Sequence, residues 1–166
     1  QILDEADIPR FARLGVIASM QAIHATSDMP WVPARLGEAR AREGAYVWRK
    51  LLQSGARIAN GSDAPVEPLN PLLGFYAAIT RQDERGNPPG GWFPDQRMTR
   101  EEALRSFTLD AAYAAFEEHL KGSLEPGKLA DLVVLSKDIM TIPPAEILRT
   151  AVDLTIVDGR IVYERP

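Results

Sequence analysis

Two short apolar runs, "VIASMQ" (16–21) and "ARIANG" (56–61), constrain this chain more than any other feature. Each has the length of a buried strand rather than of a helix, and each is bounded by glycine or polar residues. Between them lies a helical pattern, "AREGAYVWRKLLQSG" (41–55). Its Tyr46, Val47, Leu51 and Leu52 are candidates for a buried face, and Gly55 stands just past its end. Strand, helix, strand predicts a right-handed crossover that leaves the two strands parallel, about 4.8 Å apart if adjacent. Both then end at one carboxyl edge, where α/β proteins place their sites.

The flanking segments extend the alternation. "DIPRFARLG" (7–15) reads as a helix with Asp7 as N-cap, Pro9 in the first turn and Gly15 as the stop. The segment 22–39 is polar and reads as irregular. "NPLLGFYAAIT" (70–80) is a helix with Asn70 as N-cap and Pro71 at its first position. The Gly- and Pro-rich stretch 81–97 reads as a long surface loop, and loops of that length often shape binding sites. "TREEALRSF" (99–107) opens with a capping box, Thr99 to Glu102, and "LDAAYAAFEEHL" (109–120) reads as a second, alanine-rich helix.

After Lys121 the texture becomes β-rich: "ADLVVL", "VDLTIV" and "RIVYE". Asp158-Gly159 joins the last two, a strong two-residue hairpin signal. The pattern predicts an α/β unit over 1–121 followed by a small antiparallel sheet over 122–166.

Composition excludes several classes. Hydrophobic residues make up 45% and charged residues 25%, a globular balance with enough apolar material for a core. The net charge is −4 with no basic patch, which argues against a nucleic-acid partner. No apolar run reaches the ~20 residues of a membrane span. There is no cysteine, so a disulfide, a thiolate nucleophile and a thiolate metal site are all excluded. A cytoplasmic location fits this usage. There are only two histidines, His24 and His119, too few for an all-histidine metal site within one copy.

Asp63 stands just past the second strand and His24 just past the first, so the expected pairing brings carboxylate and imidazole over one cleft. Asp63 suits a metal ligand or a general base on a metal-activated water. Ser62-Asp63 before Ala64-Pro65 is also good turn chemistry. His24 is a candidate for the site or a solvated loop residue. His119 reads as a cation at a helix C-terminus. Trp48 reads as core, Trp31 and Trp92 as loop residues that either line a pocket or pack under their loops, and Arg49 as a helix-surface charge with a site-facing role as the alternative. Asp28, Asp83 and Asp95 carry no spacing signal.

"GSDAPVEPLNP" (61–71) resembles the strand-eight motif of the YtcJ-like (amidohydrolase family 3) branch of the metal-dependent amidohydrolase superfamily. The resemblance continues in order along nearly the whole chain. "GVIASMQAIH" is similar to the strand-seven segment, with Ala22 where relatives carry proline. "GAYVWRKLLQSGARIANGSDAPV" is similar to the helix and strand that follow. "RMTREEALRSFTLDAAYAAFEE" resembles the helix after the barrel. "GSLEPGKLADLVVLSKD" and "VDLTIVDGRIVY" resemble strands of a small β-sandwich domain.

The resemblance implies the C-terminal part of a (β/α)8 barrel, strands seven and eight with their helices, over 1–121, and β-sandwich strands over 122–166. It implies a hydrolase of amide or cyclic amide C–N bonds using metal-activated water. Asp63 would be the metal ligand or general base, and His24 and Trp92 would face substrate. The cofactor implied is a divalent metal, zinc first, as one or two ions with most ligands outside these residues. A complete barrel takes about 250 residues, so the partners implied are the N-terminal barrel half, or self-association in its place, and a small amide-type substrate. The rival expectation is a catalytically inert folding or assembly module without metal.

Overall fold

The computed structural model describes all 166 residues. Helix α1 (Ile8–Leu14) holds Pro9 in its first turn and ends on Gly15, whose φ of 67° no β-carbon opposes. Its N-terminal cap differs from expectation. A single 3-10 turn, 5–7, precedes it, and Asp4 rather than Asp7 makes the side-chain cap.

Strand β1 (Ala18–Met20) follows. The segment expected to be irregular then forms three short helices: α2 (Ala22–Asp28), α3 (Val32–Leu36) and α4 (Glu38–Gly44). The helical pattern 41–55 is also broken. α4 ends at Gly44, and α5 (Trp48–Gln53) starts afresh beyond Tyr46, whose φ is 54°. Tertiary bonds hold this break. The Tyr46 N–H donates to the Gln1 carbonyl (2.8 Å), and its own carbonyl accepts from Arg81 Nη1 (2.8 Å).

Strand β2 (Ile58–Asn60) is parallel to β1, with Ala18 opposite Ile58 and Met20 opposite Asn60. α6 (Pro71–Thr80) carries the expected cap, with Asn70 accepting from the Leu72 N–H at 3.0 Å. A loop with one 3-10 turn, 94–96, leads to α7 (Arg100–Phe107). Both halves of the Thr99–Glu102 capping box are made.

α8 (Leu109–Ala114) is shorter than its alanine-rich pattern suggests, because Phe116 turns into the left-handed region at φ 60°. His119 therefore lies beyond the helix with its side chain 72% exposed, and it gains nothing from a helix dipole.

The tail holds the expected antiparallel strands together with a helix the sequence pattern did not announce. β3 (Leu132–Leu135) precedes a short helix, α9 (Pro144–Ile147), and the hairpin β4 (Val152–Val157) and β5 (Arg160–Glu164). The sheet order is β3-β4-β5, antiparallel throughout, and Asp158 and Gly159 both take positive φ. That is the type I′ geometry matching the strands' right-handed twist.

One core serves most of the chain. Trp48, Val47 and Leu51 from the α5 region, Met20 and Ile58 from the parallel strands, and Phe75 and Tyr76 from α6 are its buried members. Each large side chain so buried contributes about 1.5–3 kcal/mol relative to exposure. Ile139 and Ile147 enter this cluster from beyond residue 121, so the segment before β4 packs on the α/β unit. The β3-β4-β5 sheet is different. Val133, Ile161, Val162 and Tyr163 are exposed. No helix is long and apolar enough to cross a membrane.

Candidate active site

The parallel pairing of β1 and β2 sets both carboxyl ends side by side, and the Gly61 N–H extends the ladder to the Met20 carbonyl (3.1 Å). The chain turns directly into α2 after β1, which puts His24 in that helix's first turn. After β2 it enters a proline-rich turn, where Asp63 takes φ 60° and its carbonyl accepts from the Val66 N–H at 2.8 Å. Aspartate is among the few residues that tolerate this left-handed geometry. The two side chains meet: His24 Nε2 lies 3.4 Å from Asp63 Oδ2. The imidazole is mostly buried and the carboxylate half-exposed, at 17% and 46%.

The Asp63 carboxylate accepts no backbone hydrogen bond. Three other aspartates that sit in turns do, whereas Asp158, also at positive φ, does not. Asp4, Asp83 and Asp138 each accept from the N–H two residues on, at 2.9 Å in every case. Asp63 shapes its turn through the main chain and leaves its side chain to other partners.

Behind His24 stands an amide relay that sequence reasoning missed. Gln1 Nε2 donates to Gln21 Oε1 (2.6 Å) and lies 3.5 Å from His24 Nδ1. Its sequence signal was a polar side chain, Gln21, at the very end of a buried strand. A second tether was equally invisible. Ser27 Oγ on α2 donates to Glu67 Oε1, so the helix bearing His24 grips the turn bearing Asp63.

Trp92 is placed elsewhere. It stacks on Phe93 (ring centroids 4.4 Å apart), meets Tyr46 edge-on (6.0 Å), and lies under the Arg81 guanidinium (5.2 Å). Neither His24 nor Asp63 is among these contacts. Trp31 is exposed with Arg35 over its ring, and Trp48 is fully buried. Asp28 accepts from the Tyr46 hydroxyl, and burial followed by this bond pushes that hydroxyl's pKa up.

Arg81 is fully buried with no carboxylate partner. Two carbonyls, those of Tyr46 and Trp92, and the faces of Trp48 and Trp92 take that role instead. Burial lowers its pKa to about 9, which leaves it charged at neutral pH. It ties the loop after α6 to the break before α5.

Arg49 is not a surface charge. It forks onto both Glu102 oxygens at 2.7 Å and donates to the Arg97 carbonyl at 2.6 Å.

Two cavities stand out. A cleft of about 160 Å³ runs between α2 and α6, lined by residues that include Ile23, Ser27, Glu67, Leu73 and Tyr76. Another of about 230 Å³ lies among α5, β2 and α7. Neither includes His24 or Asp63. No group of three or more His, Cys, Asp or Glu side chains is arranged to hold a metal ion. An oxygen of Asp63 with no hydrogen-bond donor suits a divalent cation in kind. It is still one donor, where such sites take three or four protein ligands.

A family model described as "Amidohydrolase family" matches residues 1–163. The chain belongs to the amidohydrolase family. It is 34% identical over 165 residues to the Bacillus subtilis protein YtcJ, covering 99% of this chain and 31% of that protein. It is 35% identical over 117 residues to the N-substituted formamide deformylase of Arthrobacter pascens, covering 70% of this chain and 21% of that enzyme. Among solved structures it resembles a metal-dependent hydrolase from Pyrococcus horikoshii, with a TM-score of 0.73 and 26% identity. That match covers 86% of this chain and 29% of the other. The chain thus spans about a third or less of the length of the relatives it matches.

Proposed function

We propose that this chain carries the last part of the catalytic barrel of a metal-dependent amidohydrolase acting on amide or cyclic amide C–N bonds. In this reading β1 and β2 are barrel strands seven and eight, and β3-β4-β5 belongs to a β-sandwich. The remaining strands and most metal ligands come from outside these residues. The division falls near residue 121. The observation that carries the reading is the Asp63 carboxylate, presented at a strand's carboxyl end and free of turn duty. The formamide deformylase's name supports an amide-type small molecule as substrate.

The group implied is a divalent metal, zinc or a similar ion, with Asp63 as this chain's contribution to holding it. When bound, such an ion lowers the pKa of a coordinated water to about 7. Asp63 takes the proton of the attacking water and returns it to the departing nitrogen. His24 borders Asp63, and in this reading it lies at the substrate end of the site. Trp92 contributes by holding the 81–97 loop against Arg81 and Tyr46.

The test is Asp63→Asn in the parent enzyme, the complete polypeptide carrying these residues. Asparagine also tolerates a positive φ, so the turn survives. Turnover should fall about 100-fold or more, the range for losing a general base. Near-normal turnover with an intact fold overturns the assignment.

A second reading draws on one observation, the missing three-ligand cluster. By itself the chain is then an inert folding or assembly unit. Elemental analysis of the isolated chain tests the inert reading, and activity of the complete polypeptide separates it from the first. Substoichiometric metal fits inertness, and one tightly held ion per chain refutes it.

A further inference from the structure

We infer that Gln1 and Gln21 are positioning residues that hold His24 in its Nε2–H form, so that the ring donates to Asp63. The inference rests on the reading of Asp63 given above. It follows from which atoms face each other.

The Gln21 Oε1 atom accepts from Gln1 Nε2 at 2.6 Å. In that arrangement the Gln1 amide points its nitrogen inward. Its nitrogen, not its oxygen, then lies 3.5 Å from His24 Nδ1. An amide nitrogen carries two hydrogens and no accepting lone pair. A proton on Nδ1 would meet another N–H, so Nδ1 presents its lone pair. A neutral imidazole with an accepting Nδ1 carries its proton on Nε2.

The other face of the ring agrees. Nε2 is buried with no partner among the well-formed hydrogen bonds, and Asp63 Oδ2 lies 3.4 Å away. A carboxylate only accepts, so N–H toward it is attractive and a lone pair toward it repulsive. Such contacts are often long without substrate and tighten in the complex. Ser27–Glu67 keeps the two elements in register.

The arrangement has a consequence for roles. In its Nε2–H form His24 has no lone pair on the nitrogen that faces Asp63, so it is not a metal ligand there. It steadies one carboxylate oxygen and leaves the other for a cation or a water proton. Outer partners of this kind typically change activity about 10–100-fold when removed.

The experiment is long-range ¹H–¹⁵N spectroscopy of the metal-loaded parent enzyme labelled on histidine, with His24 assigned by its loss in His24→Asn. The expected spectrum is the Nε2–H tautomer. An Nδ1–H tautomer overturns the inference without any variant having to fold. Gln1→Glu puts an acceptor against Nδ1 while Asp63 still faces Nε2, and should add a proton at Nδ1 to give the doubly protonated ring. An unchanged tautomer there removes the positioning role of Gln1. Gln21→Leu should lower kcat about tenfold at nearly constant KM and constant metal content, the lower end of that range. Gln21→Glu, which keeps the accepting oxygen, should restore both tautomer and kcat, and equal losses in the two variants count against the relay. If Asp63→Asn were fully active, the catalytic reading would fall while the His24 spectrum stood, so the two failures are distinguishable.

Discussion

The Arg49–Glu102 contact joins α5 to the start of α7 and permits a worked prediction. Glu102 has two duties. Its carboxylate accepts both arms of the Arg49 fork at 2.7 Å, and it accepts the Thr99 N–H at 2.7 Å to close the capping box. The fork, then the cap, holds its pKa below the ordinary glutamate range, and the same fork raises that of Arg49. Glu102→Gln keeps an oxygen for the cap and removes the charge. Hydrogen bonds to charged groups contribute about 1.5–3 kcal/mol, and the pair is only a quarter exposed, at 25% and 29%. A cost of about 2 kcal/mol is the expectation for Glu102→Gln. Arg49→Met should cost about the same, since it also releases the Arg97 carbonyl. The double variant should cost about 2.5 kcal/mol, which leaves a coupling of about 1.5 kcal/mol.

Native-state hydrogen exchange at the α7 amides reads this locally, without requiring two-state unfolding of a large protein. A coupling of that size is about tenfold in exchange rate. The sign with pH follows from the depressed carboxylate. Its contribution is complete above the unfolded value of about 4.3 and is lost as pH falls through the lower folded value. Protection of α7 should therefore weaken in that window in the wild type and not in Glu102→Gln. Additive single effects, with coupling near zero, would refute the reasoning.

The remaining predictions test packing and assembly. A β-carbon at Gly74 would sit 2.8 Å from Phe107 Cζ, whereas one at Gly61 meets nothing within 4 Å. Gly74→Ala should cost about 1–3 kcal/mol by overpacking the α6–α7 contact, with Gly61→Ala as the nearly neutral control in thermal denaturation. The isolated 166-residue chain should self-associate in size-exclusion chromatography, because Val133, Ile161, Val162 and Tyr163 lie exposed on one small sheet. A stable monomer would count against that.

The two parallel strands and the hairpin were legible because their signals are local: short apolar runs with sharp ends, and an Asp-Gly pair. Caps at Asn70 and Thr99 were legible for the same reason. The helices over 22–44 were not. Each is only 5 to 7 residues long, too short to display a 3.6-residue period, and prolines at 30 and 33 mask them further. The break at Tyr46 has no local cause at all. It is imposed by Gln1 and Arg81, one 45 residues earlier and the other 35 later in the chain. Arg49 looked like a solvated charge because its partner lies 53 residues away. Sequence patterns report what a residue does for its neighbours, and these residues act across the fold.

Asp63 shows how two readings of one residue come apart. As a turn residue it satisfies every local rule, including tolerance of φ 60°. If the turn were its whole purpose, the side chain would reach forward to a backbone N–H, as aspartates in turns commonly do. Asp4, Asp83 and Asp138 do this in the same chain, whereas Asp158, which like Asp63 takes a positive φ, does not. Asp63 does not, and its turn closes through the main-chain carbonyl alone. Glycine or asparagine would serve that geometry as well as aspartate. What neither could supply is a negative oxygen beside His24 at the end of two parallel strands. The turn itself does not require the carboxylate, and its contact with His24 is the feature on which the proposed chemistry draws.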